Sequence, residues 1–345
     1  MDRPEQSRVS AVVVTYRAVA LTLEAIASLK RQTVPLVDLV VVDNDPGGSM
    51  REPLARHHPD VTFLALDNPG HAVACNRGAE LARGEVLCFL DPDAALAPDA
   101  LERMLAVLDE HPRAGLVSPQ ILFSDRPTVN AGDNPVHLTG LSWCGRYDEP
   151  PEPGPSRLTF TTSGACHLVR AGAFREVGGY CEDYFVLYDD PDLCWRLWLA
   201  GWEVWYSPDA RAVHDYTFGE NPQKWFWLER HRLSSVLVNF AGSTLAVLAP
   251  LLLATELGLM AVAWREGWLD RKLAAYSSLW SSRRALRRRR RAVQSTRRVT
   301  DAALIGHFAG RVDSAQLDSP VLALANPLLA AYHALAVAAV RAFGR

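Results

Sequence analysis

The alternation of two hydrophobic patterns over residues 9–117 constrains the fold more than any other feature of the chain. Short apolar runs rich in β-branched residues, typical of buried strands, alternate with segments whose apolar side chains recur at helical spacing. The predicted strands are Val9–Thr15, Asp38–Val42, Val61–Leu66 and Val86–Leu90. This alternation predicts a doubly wound α/β fold, with a mostly parallel sheet and helices on both faces.

Acidic and polar clusters lie where predicted strands end. They are Asp43–Asp45, Asp67–Asn68, Asp91–Asp93 and Asp189–Asp192. One such cluster is ordinary turn chemistry, but four at the carboxyl edge of one sheet favour a ligand site. Carboxylates as close as Asp91 and Asp93 repel one another unless a cation lies between them, and a bound divalent cation would let an acidic pocket accept a diphosphate. Asp190 would remain as a general base, and it is also placed to cap a helix whose first turn begins at Pro191.

Composition excludes wholesale disorder, because 49% of the residues are hydrophobic and 22% are charged. The six cysteines are scattered without a CxxC pair, which is typical of reduced thiols in a cytosolic protein. Residues 1–6 contain no apolar core of a signal peptide. We therefore expect a cytoplasmic protein.

Two uncharged stretches, Leu233–Thr255 and Val321–Val340, reach the length of a membrane span. Both are diluted by small or polar residues, which favours interfacial or mutually packed helices over spanning ones. Between them, Arg265–Arg298 contains 12 Lys and Arg residues and two acidic residues, which is a net charge of +10. Because the whole chain has a net charge of −3, the remaining residues carry −13. No nucleic-acid-binding motif is present, so we expect the basic segment to meet an anionic membrane surface and the protein to be peripheral at the inner face of the cell membrane. The expected division is a catalytic domain, 1–235, and a helical C-terminal region, 236–345.

The alternation ends after Val117, and residues 124–156 are rich in Pro, Gly and polar residues. A long irregular segment inside a compact domain is usually a functional loop. We interpret this segment as a functional loop on the side of the ligand site where an acceptor substrate would bind.

Seven motifs, in one order along residues 8–235, carry a family resemblance. They are VVVTYR (12–17), VVDND (41–45), NPGHAVACNRG (68–78), FLDPDA (89–94), SGACHLVR (163–170), FREVGGYCEDYFVLYDDPDLCWR (174–196) and Pro208 with His214. The chain resembles the inverting family 2 glycosyltransferases with the GT-A fold, and within them the bacterial rhamnosyltransferase-like group.

The resemblance implies a role for each matching residue. Asp190 matches the general base, and His214 matches a histidine that often completes the metal site of Asp91 and Asp93, which holds Mg²⁺ or Mn²⁺. The implied nucleotide-sugar contacts are Thr15, Arg17, Asp43 (the base of the nucleotide), Asn68, Gly70, Asn76 and Asp91. Arg17 departs from the family's usual Asn, and Asp189 from its usual Glu.

The implied reaction moves a sugar from a nucleoside-diphosphate sugar to a hydroxyl of a saccharide acceptor, with inversion of the anomeric configuration. The subgroup suggests L-rhamnose from dTDP-rhamnose, and the apolar and basic C-terminal region suggests a polyprenyl-diphosphate-linked acceptor in the synthesis of cell-envelope polysaccharide. Residues 223–227 read QKWFW and lack the Arg-Trp pair of processive synthases, so a non-processive enzyme is expected. The sequence leaves homo-oligomer formation open.

Two other classes of function fit some of these features. A phosphatase or phosphotransferase of the haloacid dehalogenase type also has DxD after an apolar strand, but Ala94 and Ala95 follow here in place of the expected Thr or Val. A catalytically silent membrane-surface scaffold would use the basic segment alone, and the intact acidic motifs argue against it.

Overall fold

The computed structural model describes residues 7–214, 223–313 and 320–343. Its centre is a ten-stranded sheet. The strands are β1 (Val9–Thr15), β2 (Leu36–Asp43), β3 (Thr62–Ala65), β4 (Val86–Leu90), β5 (Ala94–Leu96), β6 (Ala114–Leu122), β7 (Val129–Ala131), β8 (Arg157–Leu158), β9 (Cys166–Arg170) and β10 (Glu203–His214).

The sheet is mixed, whereas the strand–helix alternation predicted a mostly parallel one. The strand order is β3-β2-β1-β4-β9-β6-β10-β5, with β7 on β6 and β8 on β10. The first four strands are parallel to one another, as are β6 and β10. Strand β9 runs antiparallel between β4 and β6, because the chain returns to the sheet after the irregular segment 124–156.

Helices cover both faces of the sheet. The helices within this part of the chain are α1 (Val19–Lys30), α2 (Arg51–His57), α3 (His71–Leu81), α4 (Ala100–Glu110), α5 (Ala171–Glu176) and α6 (Asp189–Leu199). Alternate residues of β1 enter opposite cores: Val12 and Val14 pack toward α3 and α6, while Val9 and Val13 pack toward α1 and α4. This double burial explains why the strand is rich in β-branched residues and has no charged one.

The irregular segment 124–156 is held to the helices next to it. Tyr188, which directly precedes α6, donates its hydroxyl proton to the carbonyl of Gly140 at 2.5 Å. The guanidinium of Arg232 donates to the carbonyl of Thr139 at 2.8 Å. Within the segment, the Gly145 amide donates to Asn134 at 2.9 Å. The middle of this segment is therefore a fixed wall of the molecule.

Six more helices form the C-terminal part of the chain. They are α7 (Gln223–Asn239), α8 (Gly242–Glu266), α9 (Leu269–Ser281), α10 (Arg283–Thr296), α11 (Asp301–Leu304), which a 3₁₀ turn follows, and α12 (Pro320–Phe343). The predicted apolar stretch 233–255 is not one helix. Helix α7 ends at Asn239, and the apolar helix α8 begins at Gly242 and continues to Glu266. The expected boundary at residue 235 falls inside α7.

Two of these helices, Gly242–Glu266 and Leu322–Ala342 within α12, have the length and composition of a membrane span, with mean hydropathies of 2.1 and 1.6. The core helices of soluble proteins can meet the same criteria. Here the hydroxyl of Tyr332 on α12 donates to the carbonyl of Val247 on α8 at 2.7 Å, so the two apolar helices pack on one another. Only 11% of each apolar window is buried.

A buried ion cluster fixes α8 to the helices beside it. The Arg232 guanidinium lies 2.6 Å from the Glu256 carboxylate, and the Lys272 ammonium lies 2.9 Å from the same carboxylate. Both cations also pair with Glu229. Lys272 has no exposed surface, so these charges compensate one another inside the protein.

The basic segment is not wholly a surface feature, contrary to its interpretation from charge alone. Arg289 pairs with buried Asp192 on α6, and Arg290 donates to the carbonyl of Phe240 at 2.7 Å. Arg297 pairs with Asp301 at 2.6 Å. The exposed arginines of α10 are Arg283, Arg284, Arg287, Arg288 and Arg291. Arg289 thus attaches α10 to α6, and Arg290 attaches it to the chain that follows α7.

Candidate functional site

The acidic clusters meet at one edge of the sheet, as the strand pattern predicted. Thr15 and Asp43 end neighbouring strands and are paired in the β1–β2 register. Asp91 follows β4, whose last residue Leu90 lies beside Val13 of β1. We call this carboxylate-lined edge the mouth. The start of α3 and the segment before α6 meet beside it, because the Phe185 carbonyl accepts a hydrogen bond from the His71 amide at 2.7 Å.

Asp91, Asp93 and His214 form a group that could hold a metal ion. One potential ligand atom from each lies within 4.8 Å of the others. His214 Nε2 is 3.2 Å from Asp93 Oδ1 and 4.0 Å from Asp91 Oδ2. The positions follow from the register, since His214 pairs with Ala94, the residue after Asp93. Burial opposes ionisation of Asp93, but the hydrogen bond and charge of His214 lower the pKa of its carboxyl below the usual range.

Asp190 lies in the first turn of α6, but it is not the helix cap that its sequence context suggested. The helix already begins at Asp189, after Tyr188 in the left-handed region (φ 65°), and it has no side-chain cap. The Asp190 carboxylate turns instead toward the sheet and accepts a hydrogen bond from the Gly164 amide at 2.8 Å. The loop before β9 therefore holds this carboxylate.

The surroundings separate the acidities of Asp189 and Asp190. Burial, and then the charge of Asp189, raise the pKa of Asp190 well above its ordinary value, and the charge of Asp91 adds to this. Burial also tends to raise the pKa of Asp189, but the charge and hydrogen bond of His71 outweigh burial and lower that pKa below its ordinary value. Two neighbouring carboxyls with pKa values moved apart are suited to different tasks, one as a fixed charge and one as a proton acceptor.

His71 is a site residue that the sequence reasoning missed. Its Nδ1 is 2.7 Å from Asp189 Oδ2, and its Nε2 is 3.7 Å from Asp91 Oδ1. Burial disfavours the imidazolium, but the acidic groups Cys75, Asp189 and Asp91 raise the pKa of His71 well above its usual range. The imidazole of His71 thus lies between two carboxylates, Asp91 and Asp189. The available signal was its position directly after Gly70 in the NPGH motif.

The residues expected on the nucleotide side have different degrees of exposure. The side chain of Arg17 is 66% exposed and pairs with Asp45 at 3.1 Å. Thr15 is buried and accepts from Thr22 at 2.7 Å. Asp43 has no exposed surface, and its carboxylate accepts from the amides of Asp45 and Met50 at 3.1 and 2.9 Å. Asp43 shapes the turn after β2, and its contact with a nucleotide base stays a prediction.

Asn68 and Gly70 both have left-handed backbone conformations in the loop before α3, with φ of 52° and 109°. A Cβ at Gly70 would lie 2.9 Å from the Phe185 carbonyl oxygen, so this close approach requires glycine. Asn68 accepts from Asn44 at 3.2 Å, across the mouth from β2. Asn76 is used differently: its amide group accepts from the Tyr180 amide and donates to the Tyr180 carbonyl, at 2.9 and 3.0 Å.

Comparisons with solved structures identify the fold. GalNAc-T7 with UDP, GalNAc and Mn²⁺ superposes with a TM-score of 0.56 at 14% identity, over 72% of this chain and about half (51%) of that one. A mannosyltransferase from Pyrobaculum calidifontis in complex with GDP-Man and Mn²⁺ superposes with a TM-score of 0.50 at 20% identity, over 99% of this chain and 88% of that one. The fold is that of the GT-A glycosyltransferases.

The sequence comparisons identify the family. Residues 10–178 match the profile "Glycosyl transferase family 2". The N-acetylglucosaminyl-diphospho-decaprenol L-rhamnosyltransferase of Mycobacterium tuberculosis is 29% identical over 238 residues, which are 61% of this chain and 78% of the relative. The chain belongs to glycosyl transferase family 2 and is an inverting, rhamnosyltransferase-like glycosyltransferase. The phosphatase and scaffold alternatives are set aside.

Proposed function

We propose that this glycosyltransferase moves L-rhamnose from dTDP-rhamnose to a hydroxyl of a polyprenyl-diphosphate-linked saccharide in the synthesis of cell-envelope polysaccharide. The observation that carries the proposal is that one mouth holds both the Asp91, Asp93 and His214 group and the raised-pKa carboxyl of Asp190. The name of the Mycobacterium tuberculosis relative supports the choice of sugar and of a lipid-linked acceptor.

Asp190 acts as the general base in this proposal. A base with a pKa nearer to the working pH accepts a proton more readily, and burial moves the pKa of Asp190 in that direction. Its hydrogen bond from Gly164 fixes the orientation of the carboxylate, so the acceptor hydroxyl meets it in one geometry. Removal of the proton as the oxygen attacks the anomeric carbon inverts that centre in a single displacement.

Asp91, Asp93 and His214 would hold a divalent cation, and the chemistry of the set favours Mn²⁺ over Mg²⁺. Two carboxylates suit either ion, but imidazole nitrogen is a poorer ligand for the harder Mg²⁺. Bound there, the cation would neutralise charge on the departing nucleoside diphosphate. The donor nucleotide would lie along Thr15, Arg17, Asp43, Asn68, Gly70 and Asn76, with Asp91 between nucleotide and metal.

The exposed surface of the C-terminal helices supports peripheral binding to the cytoplasmic face of an anionic membrane. Leucines 59–80% exposed lie on both apolar helices, for example Leu257 and Leu324, and Trp264 and Trp280 are 75% and 73% exposed. Exposed tryptophans next to arginines suit the level of lipid headgroups. Leu253, Leu328 and Leu335 belong to the same surface.

The test is a screen of dTDP-, UDP- and GDP-sugars for thermal stabilisation with Mn²⁺ and for release of the nucleoside diphosphate in the presence of a lipid-linked acceptor. We expect dTDP-rhamnose to raise the melting temperature of the wild type, and Asp93→Ala to abolish that shift. Asp99→Ala, at the start of α4, is the matched control and should keep it. Absence of a shift with every nucleotide sugar would contradict the proposal.

A further inference from the structure

A second concave site lies outside the carboxylate-lined mouth. A cavity of about 430 Å³ opens between the irregular segment, residues 309–313 and α12. Its lining includes Pro135, Trp143, Arg311, Asp313 and His333. The volume is within the range of small-molecule sites, roughly 300–1,000 Å³.

The walls of this cavity are tied together. The amide of Ala309 donates to the carbonyl of Val136 at 2.8 Å. The side chain of Asn326 on α12 accepts from the Val312 amide at 2.9 Å and donates to the Val312 carbonyl at 3.1 Å. The irregular segment, residues 309–313 and α12 therefore form a single preorganised wall.

The polar groups of the cavity suit an anionic ligand. Within the residues that the structure describes, no carboxylate lies within 4.0 Å of the exposed Arg311 guanidinium. Among those same residues, His333 Nε2 is buried without a hydrogen-bond partner. The one acidic lining group, Asp313, accepts a hydrogen bond from Asn326 at 3.2 Å. Guanidinium and imidazole groups without protein partners are suited to bind phosphate oxygens, the imidazole when its free nitrogen carries the proton.

The cavity leads toward the proposed base. Trp143 lines it, and the next residue, Cys144, lies close to Asp190: burial, and then the charge of Asp190, raise the pKa of the Cys144 thiol to about 12. The same segment is anchored at Gly140, whose carbonyl accepts a hydrogen bond from the hydroxyl of Tyr188. Tyr188 lies two residues before Asp190. The irregular segment therefore contacts both the cavity and the helix that carries Asp190.

One side of the cavity is formed by α12. Its wall includes Ala330 and His333 of α12, the helix that exposes Leu324, Leu328 and Leu335 by 80%, 75% and 69%. The two groups suited to an anionic ligand, Arg311 and His333, thus belong to a cavity between the irregular segment and the helix that exposes these leucines. Transfer between a nucleotide sugar and a diphosphate-linked acceptor involves two diphosphates, and the metal group of the mouth can serve only one.

We infer that this cavity binds the diphosphate of the lipid-linked acceptor, with Arg311 and His333 as its ligands. The acceptor sugar extends past Trp143 to Asp190, and the hydrocarbon chain lies along α12. The inference rests on the proposed function, and it assigns the acceptor subsite to residues outside the family motifs.

The test compares two synthetic acceptors that differ only in the diphosphate: N-acetylglucosaminyl-diphospho-undecane and undecyl N-acetylglucosaminide. Arg311→Gln and His333→Gln should each raise KM for the first acceptor about tenfold, the effect of losing one charge-assisted hydrogen bond. KM for the second acceptor and for the donor should stay unchanged. Arg56→Gln, an exposed arginine of α2, is the control and should change none of these.

Inorganic pyrophosphate in EDTA provides a readout that does not depend on transfer. It should raise the melting temperature of the wild type and of Asp93→Ala, but not of Arg311→Gln. Equal effects of Arg311→Gln on both acceptors, or an unchanged pyrophosphate shift in that variant, would overturn the inference while leaving the proposed function intact. The proposed function fails separately, if no nucleotide sugar stabilises the wild type.

Discussion

The imidazole of His71, at the start of α3, lies 2.7 Å from the carboxylate of Asp189, at the start of α6. The contact joins residues 118 positions apart and places the imidazole against the residue before the proposed base, Asp190. It therefore couples the loop of the donor motif to the helix that carries the base.

Replacement of His71 by Gln should weaken both stability and transfer. Removal of the charged partner leaves Asp189 buried and less compensated, at a cost of about 1–3 kcal/mol in the free energy of unfolding. Urea denaturation measures the loss, and initial rates should show a lower kcat. His57→Gln, at an exposed position of α2, is the control. An unchanged free energy of unfolding in His71→Gln would show that the contact contributes nothing.

Asp190→Asn should lower kcat and raise the melting temperature. The amide cannot accept the hydroxyl proton, so kcat should fall by about 10²–10⁴-fold. The amide oxygen can still accept the hydrogen bond from Gly164, while the unfavourable charge near Asp189 and Asp91 is gone. The melting temperature at pH 7 should therefore rise. Asp183→Asn, an exposed control near α6, should alter neither quantity, and a lower melting temperature in Asp190→Asn would contradict the electrostatic account.

His214→Asn should change metal preference more than metal dependence. The wild type should be more active with Mn²⁺ than with Mg²⁺, because imidazole is one of the three groups of the site. With an amide oxygen in its place, the ratio of Mn²⁺ to Mg²⁺ activity should fall. Titration of each metal into EDTA-treated enzyme measures the ratio. An unchanged ratio would exclude His214 from the metal site.

Stability should decrease as the pH falls below about 6.5. Burial lowers the pKa of His137, His167 and His231 from 6.5 to about 4. Between these values the unfolded chain binds protons that the folded chain does not, so the free energy of unfolding falls as the pH is lowered. Each histidine contributes on the order of 3 kcal/mol across the full interval. Urea denaturation at pH 7 and pH 5 should reveal the loss, and equal stabilities would contradict it.

Two adjacent arginines of α10 should behave differently. Arg289 pairs with Asp192, whose side chain has no exposed surface but keeps Arg196 as a second partner at 2.8 Å, so Arg289→Ala should cost about 1–3 kcal/mol. Arg288 is exposed, so Arg288→Ala should leave stability unchanged and weaken co-flotation with phosphatidylglycerol vesicles at low salt. Vesicles of phosphatidylcholine are the control. If Arg288→Ala did not weaken flotation, the proposed membrane surface would be wrong.

Much of the site was predictable because strand ends and motif spacing are local properties. Asp91, Asp93 and His214 come together as predicted, since the register of β10 on β5 places His214 beside Ala94. The helix-cap role of Asp190 was predicted wrongly, because the carboxylate finds a partner in Gly164, 26 residues away. The basic segment was taken as a surface, although Arg289 and Arg290 point inward to bonds with distant residues.

The sequence by itself determined the α/β architecture and the edge at which the carboxylates gather. A β-branched run such as Val9–Thr15 is stable only when both of its faces are buried, and a residue that directly follows a strand must lie at that strand's end. Only the tertiary structure decided that His71 lies between Asp91 and Asp189, that Arg289 reaches Asp192, and that a cavity forms beside Trp143. The reason is physical: such contacts depend on how distant helices are rotated against one another, and hydrophobic periodicity does not encode which polar groups then meet.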